Sequence, residues 1–205
     1  ETSLQEEIDF SVSALDPKNL LAASRVVSSY RCPSYTGLQF SDDPHYTRFS
    51  GTLAIANYVA LGASDVGHLY GAVKGLQPDG TIFPLSRIRP MDVKDGLSNT
   101  ILVAETREER LMVWMDGGTS AIVATRYDRT NPPTYTAADR PLNYRPYFDY
   151  SEPRSEWGPS SSHPGGVLHT FGDGSVRLIG DQIPASVYRA MVTRDGAERV
   201  SASEY

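Results

Sequence analysis

His163 is followed, after nine intervening residues, by Asp173-Gly174, and His169 lies between them. Imidazole titrates near neutrality, so histidine is the usual general acid or base and a common metal ligand. Two histidines and a carboxylate would suit zinc or iron. The six-residue separation of His163 and His169 would put both side chains on one side of a continuous strand. Pro164-Gly165-Gly166, however, interrupts any extended geometry between them. His163 is therefore expected to be structural, its imidazole bonding the backbone around that turn and fixing the entry into a hairpin. Asp173 before Gly174 is what a tight turn prefers on conformational grounds alone.

Asp92, Asp95, Ser98, Asn99 and Glu105 form a second polar group. Hard oxygen donors crowded near a turn suit calcium, although the spacing is not that of an EF-hand. The simpler expectation is that Asp95-Gly96 makes a turn, Ser98 and Asn99 satisfy its backbone, and Glu105 pairs with an arginine. Cys32 is the single cysteine, which excludes an intrachain disulfide and a multi-cysteine zinc site. With no histidine near it in sequence, it reads as a small buried apolar residue rather than a nucleophile. Ser160-Ser161-Ser162-His163 invites a serine-hydrolase reading, but no G-x-S-x-G elbow exists in the chain. No catalytic residue is assigned.

The elements that must hold these residues follow from local pattern. Val167, His169 and Phe171 alternate with Leu168 and Thr170, and Gly172-Asp173-Gly174 can supply a positive φ. Residues Gly166 to Ile179 are thus expected to form an antiparallel hairpin, with Val176 and Leu178 on one face of its return strand. Thr100 to Glu105 reads as a continuous apolar strand at the centre of a sheet. Leu53 to Leu61 reads as a buried strand, and Thr81 to Phe83 and Tyr30 to Cys32 as brief ones. Leu111–Met115 and Ala121–Ala124, separated by Asp116-Gly117-Gly118, are expected to pair as a hairpin. Helices are expected from Asp16 to Val27, with Asp16 capping, and from Pro184 to Val192, with Val187 and Met191 one turn apart. The pattern is α+β, mostly antiparallel strands with short helices at the edges.

Four stretches carry a family resemblance. They are Tyr30-Arg31-Cys32-Pro33-Ser34, Ala56-Asn57-Tyr58-Val59-Ala60-Leu61-Gly62, Lys94-Asp95-Gly96-Leu97-Ser98-Asn99-Thr100-Ile101-Leu102-Val103-Ala104-Glu105, and His163 through Gly174. In this order they resemble a bacterial family of unknown biochemical function, abundant in planctomycetes, with a prepilin-type cleavage and methylation segment and an H-x(9)-D-G processing-associated signature. Leu97 stands where a second small polar residue is usual, and Asp195-Gly196-Ala197-Glu198 is a loose version of the family's ending. The resemblance implies a pilin-like head, an antiparallel sheet packed with an N-terminal helix. It makes His163, Gly165, Gly166, Asp173, Gly174, Asp95, Gly96, Ser98 and Asn99 signature residues of structural weight. Members normally begin with a leader and a long hydrophobic helix, whereas this chain opens on the polar Glu1-Thr2-Ser3-Leu4-Gln5. It is therefore expected to be the solvated head without its anchor.

At 205 residues one domain is expected, with 1–29 as a helical lead-in and 30–205 as a sheet-rich body. A net charge of −6 without any basic cluster speaks against a nucleic-acid partner. No apolar run has the length of a membrane span. Residues 127–150 combine tyrosines with Pro132, Pro133, Pro141 and Pro146, which argues against regular structure and equally against disorder. Tyr135, Tyr144, Tyr147 and Tyr150 are expected on or beside an intermolecular surface, because exposed rings seek cover. The leading expectation is a non-enzymatic pilin-like or pseudopilin-like subunit of the bacterial cell envelope, extracytoplasmic, whose partners are other such subunits. It needs no cofactor, calcium being the one ion entertained. The alternatives are an extracytoplasmic module that binds glycan or protein through the tyrosine-rich loop, and a metal-dependent hydrolase built on His163, His169 and Asp173.

Overall fold

The computed structural model describes residues 2–49, 51–69, 77–118, 121–124, 141–143 and 158–197. Its centre is a five-stranded sheet, β1 Tyr58–Ala63, β2 Ile101–Glu105, β3 Ala121–Val123, β4 Gly166–Phe171 and β5 Val176–Gly180, in the order β3-β1-β2-β4-β5. Four strands are antiparallel neighbours, and β3 is added in parallel on the edge of β1. β2 lies in the middle, as its uninterrupted apolar run requires.

The hairpin β4–β5 forms as expected. Val167 pairs with Ile179, Leu168 with Leu178 and Thr170 with Val176. Val167, His169 and Phe171 point into the core, whereas Val176 and Leu178 are exposed on the other face. Gly174 takes φ +82°, and the Asp173 carboxylate accepts hydrogen bonds from the Ser175 N–H and hydroxyl. This is the turn chemistry expected of an Asp-Gly pair. On the far side of the hairpin, β2 carries a bulge: Ile101 faces Phe171, but Val103 faces Thr170. The extra residue reverses the side-chain alternation, so Ile101 and Ala104 are both in the core while Val103 and Glu105 lie on the opposite face.

The core face is closed by α5, Ala185–Val192, which buries Tyr188, Met191 and Val192 against Val167, Ile179 and Leu61. Val187 packs at the margin of that cluster. The opposite face, with Tyr58, Val103, Leu168, Thr170 and Val176, lines a shallow cavity of about 320 Å³. A second apolar cluster gathers Leu20 and Ala23 of α2, Leu20–Ala23, with Tyr46 of α3, Pro44–Thr47, and with Leu53, Ile55 and Val113.

Several expectations change. The helix expected over Asp16–Val27 contracts to the single turn α2. The buried Asn19 side chain turns its amide to the Asp9 and Ser13 carbonyls, and Ser24 closes on the Leu21 carbonyl. Tyr30 ends a 3₁₀ turn, Ser28–Tyr30, rather than starting a strand. Thr81–Phe83 makes no strand, and residues 53–56 make only isolated bridges, Phe40 with Ala54 and Ile55 with Val113. Met112 and Val113 are consequently tied to residues 54–56, and Ala121–Val123 pairs with β1 instead. The expected hairpin between 111–115 and 121–124 does not exist. Local alternation signalled two strands there, but their partners are distant in sequence. Among the described residues the remaining helical turns are α1, Thr2–Glu6, α4, Val66–Leu69, and a 3₁₀ turn, Pro90–Asp92.

Candidate functional site

β2 ends at Glu105, whose side chain the bulge has turned away from the core. The residue is 1% exposed, and its carboxylate is held at both oxygens. Oε2 accepts the Leu168 N–H at 3.0 Å, and Oε1 lies 3.2 Å from Nε2 of His163. His163 sits on the loop before β4, where its own N–H donates to the Ser161 hydroxyl and that hydroxyl donates to the Gly166 carbonyl. The Ser161 N–H is in turn bonded to the Asn143 side chain, and the Ser160 N–H to the Glu105 carbonyl. Ser160 and Ser161 therefore shape the loop.

The same Nε2 of His163 lies 3.5 Å from Sγ of Cys32. Cys32 is buried, and its backbone N–H donates to Oδ1 of Asn57 at 3.3 Å. Asn57 is itself buried and donates its amide to the Thr106 carbonyl, while its backbone N–H donates to Tyr30 and its carbonyl accepts from Thr106. Next to it, Tyr58 pairs with Glu105 across the sheet. Burial, then the neighbouring Cys32 and Glu105, push the Tyr58 phenol up to about 12. Cys32, Glu105 and His163 thus present a sulfur, an oxygen and a nitrogen within 4.8 Å of one another, the one such group of His, Cys, Asp and Glu among the described residues.

Each of the four stretches singled out in the sequence supplies a member of this cluster: Cys32, Asn57 with Tyr58, Glu105, and His163. Two readings of individual residues are corrected. The His163 imidazole contacts Glu105 and Cys32 rather than the backbone of its turn, and Glu105 pairs with that histidine rather than with an arginine. Cys32 does have a histidine beside it, 131 residues away in sequence. No spacing rule joins residues so far apart. The signal available was the shared order of the four stretches, which marks segments without saying that they meet.

The other candidates go elsewhere. His169 is 1% exposed on the core face, 2.6 Å from the Tyr188 hydroxyl, and Asp173 sits in the β4–β5 turn. His163, His169 and Asp173 do not converge. Asp92 binds Arg89, which holds its carboxyl down at about 2, and Asp95 accepts the N–H groups of Gly196 and Ala197. The Asn99 amide donates to the Asp95 carbonyl and its N–H to that of Gly96, as expected of the turn, and Ser98 is exposed. With Glu105 committed to the His163 cluster, the five oxygen donors suggested for calcium do not gather at one point. Gly165 and Gly96 take positive φ. Tyr135, Tyr144, Tyr147 and Tyr150 lie outside the described residues.

A thiol, a carboxylate and one imidazole suggest nucleophilic chemistry, but the wiring differs. In a Cys-His or Ser-His-Asp relay, one ring nitrogen faces the nucleophile and the other the carboxylate. Here both partners approach Nε2.

The chain matches, over residues 1–186, the model of a family described as a protein of unknown function, DUF1559. It belongs to that family. No curated protein and no solved structure matches it.

Proposed function

We propose that this chain is a non-enzymatic, pilin-like or pseudopilin-like head that works outside the cytoplasm in a bacterial envelope assembly. The observation that carries the reading is the two-faced sheet. One face is closed by α5, while the other is apolar at Val103, Leu168, Val176 and Leu178, with Val176 61% and Leu178 52% exposed. An antiparallel sheet with one apolar face left to solvent suits a subunit that is covered by a neighbour when assembled. The wiring of His163 supports the non-enzymatic half of the proposal, since it orients no base towards Cys32 with a carboxylate behind it. The resemblance of the four stretches to proteins with prepilin-type processing supports the assembly half.

Mass spectrometry of the mature amino terminus in the natural source tests this directly. A methylated terminus produced by leader cleavage, in the envelope fraction, is the expected result. A conventional secretory cleavage, or an unprocessed terminus in the cytoplasmic fraction, overturns it.

A further inference from the structure

We propose that Cys32, Glu105 and His163 form a zinc-binding site that staples three distant segments of the fold. The donor set is a thiol, an imidazole and a carboxylate, the three side chains zinc takes most readily. With Zn–S near 2.3 Å and Zn–N and Zn–O of 2.0–2.1 Å, tetrahedral angles put sulfur and nitrogen about 3.5 Å apart and nitrogen and oxygen about 3.3 Å apart. The observed separations are 3.5 Å for Cys32 Sγ to His163 Nε2 and 3.2 Å for His163 Nε2 to Glu105 Oε1, and sulfur and oxygen lie within 4.8 Å, so binding would draw that last pair together.

Hydrogen bonding alone accounts for these contacts less well. Nε2 offers one site, either a proton or a lone pair, yet a carboxylate oxygen and a thiol sulfur from different segments both face it, and a proton for the one leaves the other without its bond. A cation between the three satisfies all of them at once. Charge points the same way: Glu105 is buried, and His163 is its one ion-pair partner among the described residues. Zinc would displace the thiol proton to solvent, and its two positive charges would balance the Cys32 thiolate and the Glu105 carboxylate.

The surroundings are also those of a built site. Leu168 N–H fixes the second carboxylate oxygen, Asn57 anchors the Cys32 backbone, and Ser161 anchors that of His163. Outer contacts of this sort orient ligands before the metal arrives. With three protein donors, the fourth position falls to a water molecule.

Chelator-stripped protein titrated with Zn²⁺, and in parallel with Co²⁺, tests the proposal. We expect one equivalent bound, a higher melting temperature, and with Co²⁺ a thiolate charge-transfer band and strong visible bands of tetrahedral geometry. Because losing even an outer partner costs 10–100-fold, Cys32→Ser should weaken zinc binding by more than about 100-fold. Cys32 is the single cysteine, so alkylation of the unmutated chain provides a second readout that needs no variant. Zinc should slow that reaction at least tenfold, roughly in line with occupancy of the thiolate. No saturable binding, an unchanged affinity in Cys32→Ser, or zinc that binds without protecting Cys32 from alkylation each overturns the proposal.

Discussion

His169 and Tyr188 form a buried pair in which the imidazole is the acceptor. Nδ1 of His169 lies 2.9 Å from the Val167 carbonyl, which can only accept, so that nitrogen carries the proton. Nε2 is then left with its lone pair, and it takes the Tyr188 hydroxyl hydrogen at 2.6 Å. Burial drives the His169 pKa down to about 4 and pushes the Tyr188 phenol well above its ordinary value, so both are neutral in the folded protein.

The pair predicts an acid-dependent loss of stability. Below about pH 6.5 the unfolded chain takes up a proton at His169 that the folded chain refuses until about pH 4. Stability is therefore full above pH 6.5 and falls through that window, by a total on the order of 3 kcal/mol from this group. Urea midpoints measured between pH 7.5 and pH 4 should show the slope, and His169→Gln should flatten it. Tyr188→Phe should cost about 1–3 kcal/mol at neutral pH by orphaning Nε2.

Two hairpin glycines should differ in what they tolerate. Gly174 holds φ +82° with open space around its missing Cβ, so Gly174→Ala should cost about 1–2 kcal/mol from backbone conformation alone. At Gly166 an added Cβ would overlap the Ile179 carbonyl of the partner strand, which is backbone and cannot swing aside. Gly166→Ala should therefore be the more damaging of the two, as thermal melts of the pair would show. Equal costs would mean that the hairpin relaxes around residue 166.

Asn57→Ala should be among the most destabilising single changes near the cluster. It removes the acceptor of the Cys32 N–H and the donor to the Thr106 carbonyl, both buried, at about 1–3 kcal/mol for each group left unpaired. Asn57→Asp retains the acceptor but sets a second acceptor against Thr106, so it should fail to rescue. Denaturation midpoints of the two variants decide this.

Asp95→Ala should act locally. Its carboxylate holds the N–H groups of Gly196 and Ala197, while the Lys94 and Asp95 N–H groups bond the Arg194 carbonyl. Losing the side chain should raise hydrogen exchange at Gly196 and Ala197 and leave the β4–β5 amides protected.

Much of the sheet was legible because local chemistry writes it. The alternation of Val167, His169 and Phe171, the Asp173-Gly174 turn and the apolar run of β2 each identify an element within a dozen residues. What stayed hidden was pairing across long loops. Ile122 faces Leu61, Val113 faces Ile55, and Cys32 meets His163, each across a separation that no periodicity spans. The role of Glu105 was obscured for a different reason. On strict alternation it would share a face with Ile101, and the bulge between them is silent in residue type.

That bulge gives the chain an unusual kind of vulnerability. Because one supernumerary residue sets the phase of everything after it in β2, the identity of Leu102 matters less than the number of residues the strand has to place. Inserting one more residue after Leu102 would leave each side chain chemically unchanged, yet would turn the Glu105 carboxylate onto the core face and swing Ala104 towards the face of Tyr58. Losing Leu102 would only restore plain alternation, with every later side chain on its present face. The meeting of Cys32, Glu105 and His163 is thus encoded partly as a count. Redesigns that add a residue to this strand would keep the letters of the motif and lose its geometry.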